Sequence, residues 1–418
     1  MQSLINKTRL MNRISNLAII GARPDGGVCR LALTDEDKAA RDLIVQWIKE
    51  LNLQVHVDQV GNLIGIRPGK ADLEPIVMGS HIDTVPTGGR FDGAAGVMAG
   101  LEVLETLNEN EVQTECPVAV VAFTNEEGVR YHSDMIGSRA FCGFITPEEA
   151  YSVEGIDGTN FGDELKRIGY AGEFPCGNIH PHAFVELHIE QGPVLDREQI
   201  PVGVVEAITG IAWYEITIQG EANHAGTTPT SMRRDAGLTA ARVITYLREI
   251  SNSLGENQRA TCGRISFSPN VINVIPEKAV LSVDLRNSNE RVLKEAEQRL
   301  QQFLHECAHQ DDVHFETKLL ARVKPETCHP DIVATLTKEV QELDYPYHTM
   351  VSGAVHDSLI LARYCPTGMI FVPSKDGISH NPAEHTSIDE LEMGANVLLK
   401  TVISLADRKS KTASKDRF

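Results

Sequence analysis

In the first part of the chain, short apolar runs alternate with segments whose apolar residues recur at helical spacing. Residues 76–78 (Ile-Val-Met) and 117–123 (PVAVVAF) have the continuous apolar character of buried strands. Between these runs, the apolar residues of 96–107 have helical spacing. Residues 34–52, which precede both runs, have the same spacing. This strand–helix–strand order predicts an α/β domain with a mostly parallel central sheet.

The pattern changes near residue 209. Strands with apolar–polar alternation now surround two long amphipathic helices, at residues 231–250 and 291–310. Their order is βαββαβ, which is typical of a small α+β domain with antiparallel pairing. Residues 369–374 (MIFVPS) then have the character of a buried strand again. The sequence therefore predicts a discontinuous first domain (residues 1–208 and 326–418) and an inserted domain (residues 209–325).

Polar residues of metal-ligand type follow the apolar runs of the first domain. They are His81, Asp92, Glu126, Glu127, His188 and His380. A two-metal hydrolase needs about six such ligands, with a carboxylate bridging the two ions. A single histidine is more often a hydrogen-bonded structural residue, and two adjacent glutamates often only begin a helix. Their joint occurrence at several strand ends predicts a metal site.

Composition and charge exclude some classes of protein and set the expected environment. The chain has 418 residues and a net charge of −19, which argues against nucleic acid or an anionic membrane as a partner. The N-terminal residues lack the apolar core of a secretory signal, and no window has eighteen uninterrupted apolar residues. The eight cysteines include no CxxC pair, as expected for reduced thiols. We therefore expect a soluble cytoplasmic protein without membrane contact.

A set of motifs spread over essentially the whole chain resembles one known family. In chain order they are GSHIDTVPTGGRFDGAAGV, FTNEEGVRYHSDMIGSRAF, VELHIEQGPVLD, GEANHAGTTP, PNVINVIP with VDLR, and SGAVHD with GISHNPAEHT. Together they resemble the amidase/hydantoinase-carbamoylase branch of the M20 metallopeptidase-like family. The resemblance implies a zinc-peptidase-like catalytic domain that binds two divalent ions and an inserted domain that serves as a lid and in dimerisation.

The resemblance also implies roles for the ligand-type residues. One ion would be bound by His81, Asp92 and His188, and the other by Asp92, Glu127 and His380, with Asp92 as the bridge. Glu126 would be the general base that deprotonates the attacking water and passes the proton to the leaving nitrogen. Asp83 would orient the imidazole of His81 through its second ring nitrogen. We prefer His380 to the nearby His385 because the family's ligand directly follows the Gly-x-Ser turn.

Zinc is the default expectation for the ions, and manganese, cobalt and nickel remain open because the donor set suits all four. The family also suggests a cis peptide bond between Asp92 and Gly93. The glycines from Gly88 to Gly93 would let the backbone turn tightly enough to direct Asp92 between two ions.

The family's substrates are N-carbamoyl amino acids or allantoate, small molecules with a ureido group and a carboxylate. Arg286 and Asn273 would bind the carboxylate, Gln191 and His356 would contact the substrate, and His224 would stabilise the developing oxyanion. In the family, the equivalent of His224 comes from the partner subunit of a homodimer built through the inserted domain. The family more often has glycine at the position of Val355, so the loop beside His356 departs from the pattern.

The sequence leaves several functions open. The leading one is a metal-dependent N-carbamoyl-L-amino acid amidohydrolase, followed by allantoate amidohydrolase and then β-ureidopropionase. An aminopeptidase is less favoured, because the peptidase branches usually have a carboxylate where this chain has His188. A non-catalytic binding protein that kept the fold is the alternative from another class, and the complete ligand set with Glu126 argues against it.

Overall fold

A computed structural model describes residues 4–407 and divides them into two compact units. The first unit comprises residues 4–206, 328–350 and 356–407, and the second comprises Ala207–Thr327 and Val351–Val355. The second unit thus also includes a short segment, Val351–Val355, that the sequence-based boundaries placed in the first domain. The boundary between Met350 and Val351 falls inside a continuous strand, Tyr347–Ser352. The apolar pattern of the sequence therefore gives no sign of it.

The first unit contains helices of very different lengths and a large sheet. Its helices are α1 (Lys7–Ile19), α2 (Asp35–Glu50), α3 (Ala94–Glu109), α4 (Ile136–Phe141), α5 (Pro147–Tyr151), α6 (Phe161–Arg167), α7 (Val194–Glu198), α10 (Pro330–Glu342), α11 (Asp357–Leu361) and α12 (Ile388–Ala406). Its strands are β1 (Gln54–Val57), β2 (Leu63–Arg67), β3 (Ile76–His81), β4 (Val118–Phe123), β5 (Ala183–Ile189), β6 (Val202–Ile208), β13 (Tyr347–Ser352) and β14 (Thr367–Val372). No helix among residues 4–407 is long and apolar enough to cross a bilayer.

The second unit has helices and strands of its own. They are β7 (Gly210–Gln219), α8 (Ala236–Ser253), β8 (Arg259–Thr261), β9 (Ile265–Ser268), β10 (Lys278–Asn287), α9 (Glu290–Gln310), β11 (His314–Val323) and β12 (Glu326–Thr327). The antiparallel sheet has the order β11-β7-β10-β8, and β9 pairs with β10 beside β8. The inward faces of α8 and α9 pack with this sheet around a separate apolar core that includes Val243, Leu281 and Leu300.

The large sheet has a parallel centre and antiparallel flanks. Its order in the first unit is β1-β2-β4-β3-β5-β14-β6, with β13 paired to β6. Strands β4, β3, β5 and β14 are mutually parallel, whereas β2 joins β4 and β6 joins β14 in antiparallel fashion. The mixed α/β fold with a parallel central sheet is therefore confirmed for the central strands. Every residue of these four strands is buried, which explains their continuous apolar runs.

Helix α3 lies close to the central strands because its first turns contain small residues. A side chain at Gly96 would come within 2.4 Å of the carbonyl oxygen of Leu187 in β5. One at Gly100 would come within 2.6 Å of Val120 in β4. The glycines therefore let the start of α3 approach the carboxyl ends of the parallel strands, where ligands collect in α/β folds.

Candidate metal centre

The candidate ligands lie at one edge of the large sheet. His81 is the last residue of β3, His188 lies near the end of β5, and Glu126 and Glu127 follow β4 in the chain. His380 is in the loop after β14. Because β4, β3, β5 and β14 are parallel, their carboxyl ends meet at the same edge, and this topology brings residues from distant parts of the chain together.

The carboxylate of Asp92 lies at the centre of this group. Its Oδ1 is 3.2 Å from Nε2 of His188 and 3.7 Å from Nε2 of His81. Its Oδ2 is 3.1 Å from Nε2 of His380, which in turn lies 3.6 Å from Oε1 of Glu127. The side chains thus form two groups of three, His81–Asp92–His188 and Asp92–Glu127–His380, each with its ligand atoms within 4.8 Å of one another. The two oxygens of Asp92 face different groups.

Gly93 provides the backbone geometry for this arrangement. Its φ is +61°, a conformation that glycine adopts without a steric penalty. A side chain at this position would lie 2.4 Å from the ring of His81. The prediction of a cis peptide bond between Asp92 and Gly93 is wrong, because the only cis bond among residues 4–407 is Ser268–Pro269. The positive φ of Gly93 produces the tight turn instead.

Asp83 supports the site through a different set of contacts from the one expected. Nδ1 of His81 is 2.9 Å from the backbone carbonyl oxygen of Asp83, and the Asp83 carboxylate is farther away, at 3.8 Å. The carboxylate instead accepts hydrogen bonds from the backbone N–H groups of Glu126 and Glu127, each at 3.2 Å. Asp83 therefore orients His81 with its main chain and positions the two glutamates with its side chain.

Glu384 is a residue of the site that sequence reasoning missed. This glutamate is only 4% exposed, and its Oε1 accepts hydrogen bonds from the backbone N–H groups of Phe91 (2.8 Å) and Asp92 (3.2 Å). The hydroxyl of Ser379 is 3.2 Å from both Glu384 and Oδ2 of Asp92. A side chain at Gly89 would overlap Glu384, at 2.2 Å. Glu384 therefore fixes the loop that presents Asp92.

A buried carboxylate also lies behind His188. Glu186 is two residues before His188 in β5, so the two side chains are on the same face of the sheet. It accepts hydrogen bonds from the hydroxyl of Ser80 (2.7 Å) and from the N–H and hydroxyl of Ser358 (3.0 and 2.6 Å). Glu186, His188 and His356 form a third close group of ligand atoms. Because the Glu186 oxygens already accept these hydrogen bonds, we interpret this group as support for His188.

Burial and mutual repulsion raise the pKa values of three glutamates of the site, Glu126, Glu127 and Glu384. Burial raises the pKa of Glu126 well above its ordinary value, and the charges of Asp357 and Glu127 raise it further. Burial has the same effect on the pKa of Glu127, with Asp92 as the next cause. Burial also raises the pKa of Glu384, to about 7. Several carboxylates in one desolvated space favour proton uptake or a bound cation.

The pKa of Asp92 shifts in the opposite direction, downward, while the pKa values of its neighbours His188 and His380 rise. Although burial disfavours its charged form, hydrogen bonds to His188 and His380 hold the pKa of Asp92 well below its ordinary range. Burial likewise opposes protonation of His188, but Asp92 raises the pKa of this imidazole to about 9. Asp92 is therefore the stable anion at the centre of the group.

Two predicted substrate contacts lie beside the metal groups in the first unit. Gln191 has a positive φ of +59°, and its side-chain amide donates to Oδ2 of Asp92 at 2.9 Å. The ring centroid of His356, at the N-cap of α11, is 4.4 Å from that of His188. Burial holds the pKa of His356 well below its ordinary value, which favours the neutral imidazole.

The other predicted substrate contacts belong to the second unit. Nδ1 of His224 accepts hydrogen bonds from the N–H groups of Gly226 (3.0 Å) and Thr227 (3.2 Å), so Nε2 is the atom that can donate. The His224 loop is joined to that of Asn273, whose carbonyl accepts from the N–H of Ala225 at 2.9 Å. Arg286, on β10, is held by the Asp284 carboxylate at 3.0 Å and by the carbonyl of Gly353 at 3.1 Å.

The donor set fits two divalent ions. Each group of three contains imidazole and carboxylate donors, and a single carboxylate contributes one oxygen to each group. Two-metal hydrolases hold their ions about 3.5–4 Å apart with such a bridge. Nδ1 of His81 and Nδ1 of His188 each face a backbone carbonyl oxygen at 2.9 Å, which makes Nε2 the atom of each ring that can accept or coordinate. Nε2 of His188 accepts from the backbone N–H of Gly93 at 3.2 Å, and a bound ion would replace that hydrogen bond.

Comparison with known proteins gives consistent matches over nearly the full chain. The model of Peptidase family M20/M25/M40 matches residues 77–404. An "N-carbamoyl-L-amino acid amidohydrolase" of Geobacillus stearothermophilus is 40% identical over 408 residues, which are 96% of this chain and 99% of that protein. An "Allantoate amidohydrolase" of Escherichia coli (strain K12) is 35% identical over 398 residues, covering 94% of this chain and 96% of the relative.

Solved structures match equally well. The crystal structure of an amidase of the hydantoinase/carbamoylase family from Burkholderia multivorans superposes with a TM-score of 0.96 and is 44% identical. The match covers 98% of this chain and all of that chain.

Replacing Glu384 tests its role in positioning Asp92. We predict that Glu384→Ala lowers metal affinity about 10- to 100-fold, the usual effect of losing a residue that supports a ligand. Two buried backbone N–H groups would lose their acceptor, and Asp92 would no longer be held between the two groups of side chains. Equilibrium dialysis with metal analysis measures this affinity.

Glu384→Gln should lose less affinity than Glu384→Ala, since a side-chain amide oxygen can still accept both hydrogen bonds. Asp389→Ala, at an exposed acid of the same segment, is the matched control and should leave metal binding unchanged. Wild-type affinity in Glu384→Ala would show that Glu384 does not position Asp92.

Proposed function

The chain belongs to Peptidase family M20/M25/M40, and we propose that it hydrolyses the ureido group of N-carbamoyl-L-amino acids to the free amino acid, ammonia and carbon dioxide. The family assignment made from the sequence motifs is confirmed. The protein is a metal-dependent amidohydrolase of the branch that includes carbamoylases and allantoate amidohydrolases. The choice of an N-carbamoyl-L-amino acid over allantoate is our proposal, supported by the higher identity of the carbamoylase relative.

One observation carries the mechanism: Asp92 directs its two oxygens at two separate groups of ligands, with Glu126 beside them. Oε2 of Glu126 lies 3.5 Å from Nε2 of His81, so the proposed base is adjacent to a proposed ligand. Two divalent ions bound there would lower the pKa of a water molecule and polarise the ureido carbonyl. We assign them to His81, Asp92 and His188 on one side and to Asp92, Glu127 and His380 on the other.

We propose that Glu126 moves the proton that this reaction requires. Its backbone N–H is fixed by Asp83, and its own carboxyl group is buried with a raised pKa. In its ionised form, a carboxylate with a raised pKa is a stronger base that would take a proton from the attacking water, and the resulting carboxylic acid would give that proton to the leaving nitrogen. Glu127, the next residue, is 3.6 Å from His380 and remains with the ligand group. The adjacent glutamates thus have different neighbours, which is consistent with their different proposed roles.

We propose that Arg286 and Asn273 bind the substrate carboxylate and that Gln191 and His356 contact the ureido end. The planar guanidinium of Arg286 is suited to two parallel hydrogen bonds with a carboxylate. His224 would stabilise the oxyanion with its Nε2–H, because its Nδ1 is already occupied as an acceptor. Zinc is the proposed ion, with manganese, cobalt and nickel as alternatives suited to the same donors.

Ammonia release from a panel of substrates tests the reaction. We expect wild-type protein to act fastest on N-carbamoyl-L-α-amino acids, and more slowly on allantoate and N-carbamoyl-β-alanine. Glu126→Gln should keep both metal ions and lose about 10²- to 10⁴-fold in kcat, because proton transfer fails while all five ligands remain. His224→Ala should also lower kcat with metal content unchanged.

Each alternative has its own outcome in the same assay. Fastest turnover of allantoate or of N-carbamoyl-β-alanine would assign the protein to the corresponding activity instead. A protein that binds metal but releases ammonia from no member of the panel would be a binding protein on this fold. Loss of metal from Glu126→Gln would contradict the separate roles of Glu126 and Glu127.

Substitution of Arg286 tests recognition of the carboxylate. Arg286→Lys is expected to raise KM about 10- to 100-fold, because an ammonium cannot reproduce two parallel hydrogen bonds. Arg291→Lys, at an exposed arginine of the same unit, serves as the matched control and should be neutral. Steady-state kinetics on the best substrate of the panel measure both. An unchanged KM in Arg286→Lys would exclude Arg286 from substrate binding.

We also propose that the second unit mediates a homodimer. Strand β9 pairs with β10 and with no other strand among residues 4–407, and its side chains Ile265 and Phe267 are 39% and 38% exposed. An exposed apolar edge strand is suited to pairing with another chain.

Light scattering should give twice the chain mass of 45.9 kDa. Phe267→Lys should lower the measured mass toward that of the monomer, whereas the control Leu238→Lys, on α8, should leave the mass unchanged. A wild-type protein that is monomeric would refute the proposal.

A further inference from the structure

Helix α9 carries two histidines one turn apart that no part of the proposed reaction uses. His305 and His309 are four positions apart, so their side chains lie on the same side of the helix. The opposite side of α9 supplies buried residues, including Leu300, Leu304 and Cys307, to the core of the second unit. Both histidines are exposed. Their imidazoles are therefore available to solutes.

The two rings direct the same atom toward each other. Nε2 of His305 lies 3.2 Å from Nε2 of His309, and the ring planes are nearly perpendicular, at 89°. Imidazole nitrogens bind zinc at about 2.0–2.1 Å, which places two nitrogens about 2.8–3.4 Å apart for bond angles between 90° and 109°. The observed separation lies within that range. A cation bound by both nitrogens would replace the hydrogen bond that joins them in this structure, and rotation of the two exposed rings would suffice for it, with the helix unchanged.

We propose that His305 and His309 form a second, independent metal site that binds one transition-metal dication such as Zn²⁺, Ni²⁺ or Cu²⁺. Imidazole prefers these ions to Mg²⁺ or Ca²⁺, which favour oxygen ligands. Both ligands stand on one rigid helix, so binding of the second imidazole is intramolecular once the first has bound. The net charge of −19 also raises the local concentration of cations.

The surrounding residues indicate a binding site without catalysis. Residues 305–309 read HECAH, the spacing in which metalloproteases combine two ligands with a glutamate base. Catalytic zinc sites have three protein ligands and a protected cavity. Here the pair lies on an exposed helix surface, and no third His, Cys, Asp or Glu within residues 4–407 joins it within 4.8 Å. Water molecules would complete the coordination.

Equilibrium dialysis of the full-length, metal-loaded protein against NiCl2 tests this site. The wild type should bind one more Ni²⁺ than His305→Ala or His309→Ala, and at least about tenfold more tightly than a single exposed imidazole would. His314→Ala, which removes a lone exposed histidine of the same unit, should bind as the wild type does. Dialysis against MgCl2 should show no difference among the four proteins.

Amidohydrolase activity provides an independent readout. Since neither histidine belongs to the proposed catalytic site, His305→Ala and His309→Ala should retain wild-type kcat while they lose the additional Ni²⁺. Circular dichroism confirms folding of each variant. Equal Ni²⁺ binding by the wild type and both variants would overturn the proposal, and so would an equal loss in His314→Ala. These outcomes do not depend on which substrate the enzyme hydrolyses.

Discussion

The structure depends on a concentration of buried carboxylates at the carboxyl edge of the parallel strands. Asp83, Asp92, Glu126, Glu186 and Glu384 are all buried. Each would lose much of its hydration free energy on burial, and at short range they repel one another. Hydrogen bonds from backbone N–H groups and from serine hydroxyls stabilise Asp83, Glu186 and Glu384. Asp92 also accepts from Gln191 and Ser379, but it still lies close to the carboxylates of Glu126 and Glu127, and bound cations would relieve the repulsion among the three.

Because these carboxylates repel one another, Asp92 needs contacts from residues in distant parts of the sequence to hold its position. The loop that presents Asp92 is held by Glu384, nearly three hundred residues later, and by the close approach of Gly93 to His81. The carboxylate of Asp83 similarly fixes the main chain of Glu126 and Glu127. Ligands that must lie within a few tenths of an ångström of a productive geometry need such secondary contacts. The fold supplies them from four parallel strands and the loops that follow.

The sequence predicted the residues that follow buried strands, because long apolar runs mark those strands directly. His81, His188 and the pair Glu126–Glu127 were found in this way, and the structure brings them together with Asp92 and His380. Their action as metal ligands and base stays a prediction. Glu384 was missed because its partners are distant in sequence, and a single glutamate in the loop NPAEH gives no periodic signal. The position of Glu186 two residues before His188 in a strand could have indicated its shared face.

Backbone detail was harder to predict than residue identity. The glycine-rich turn before α3 correctly indicated tight geometry, but the expected cis bond was wrong and a positive φ at Gly93 takes its place. The sequence placed Asp83 at the second ring nitrogen of His81, and the structure has the Asp83 carbonyl oxygen as the atom at hydrogen-bond distance. The peptide geometry at Gly93 and the choice between main chain and side chain at Asp83 depend on long-range packing, which local sequence does not encode.

The central claim is that Asp92 bridges two metal ions. Anomalous diffraction from crystals of the metal-loaded protein, collected at the absorption edge of the bound metal, measures this directly. Two anomalous peaks about 3.5–4 Å apart are expected, one beside His81 and His188 and the other beside Glu127 and His380, with Asp92 between them. A single peak in crystals with saturating metal, or two peaks that Asp92 does not join, would contradict the claim.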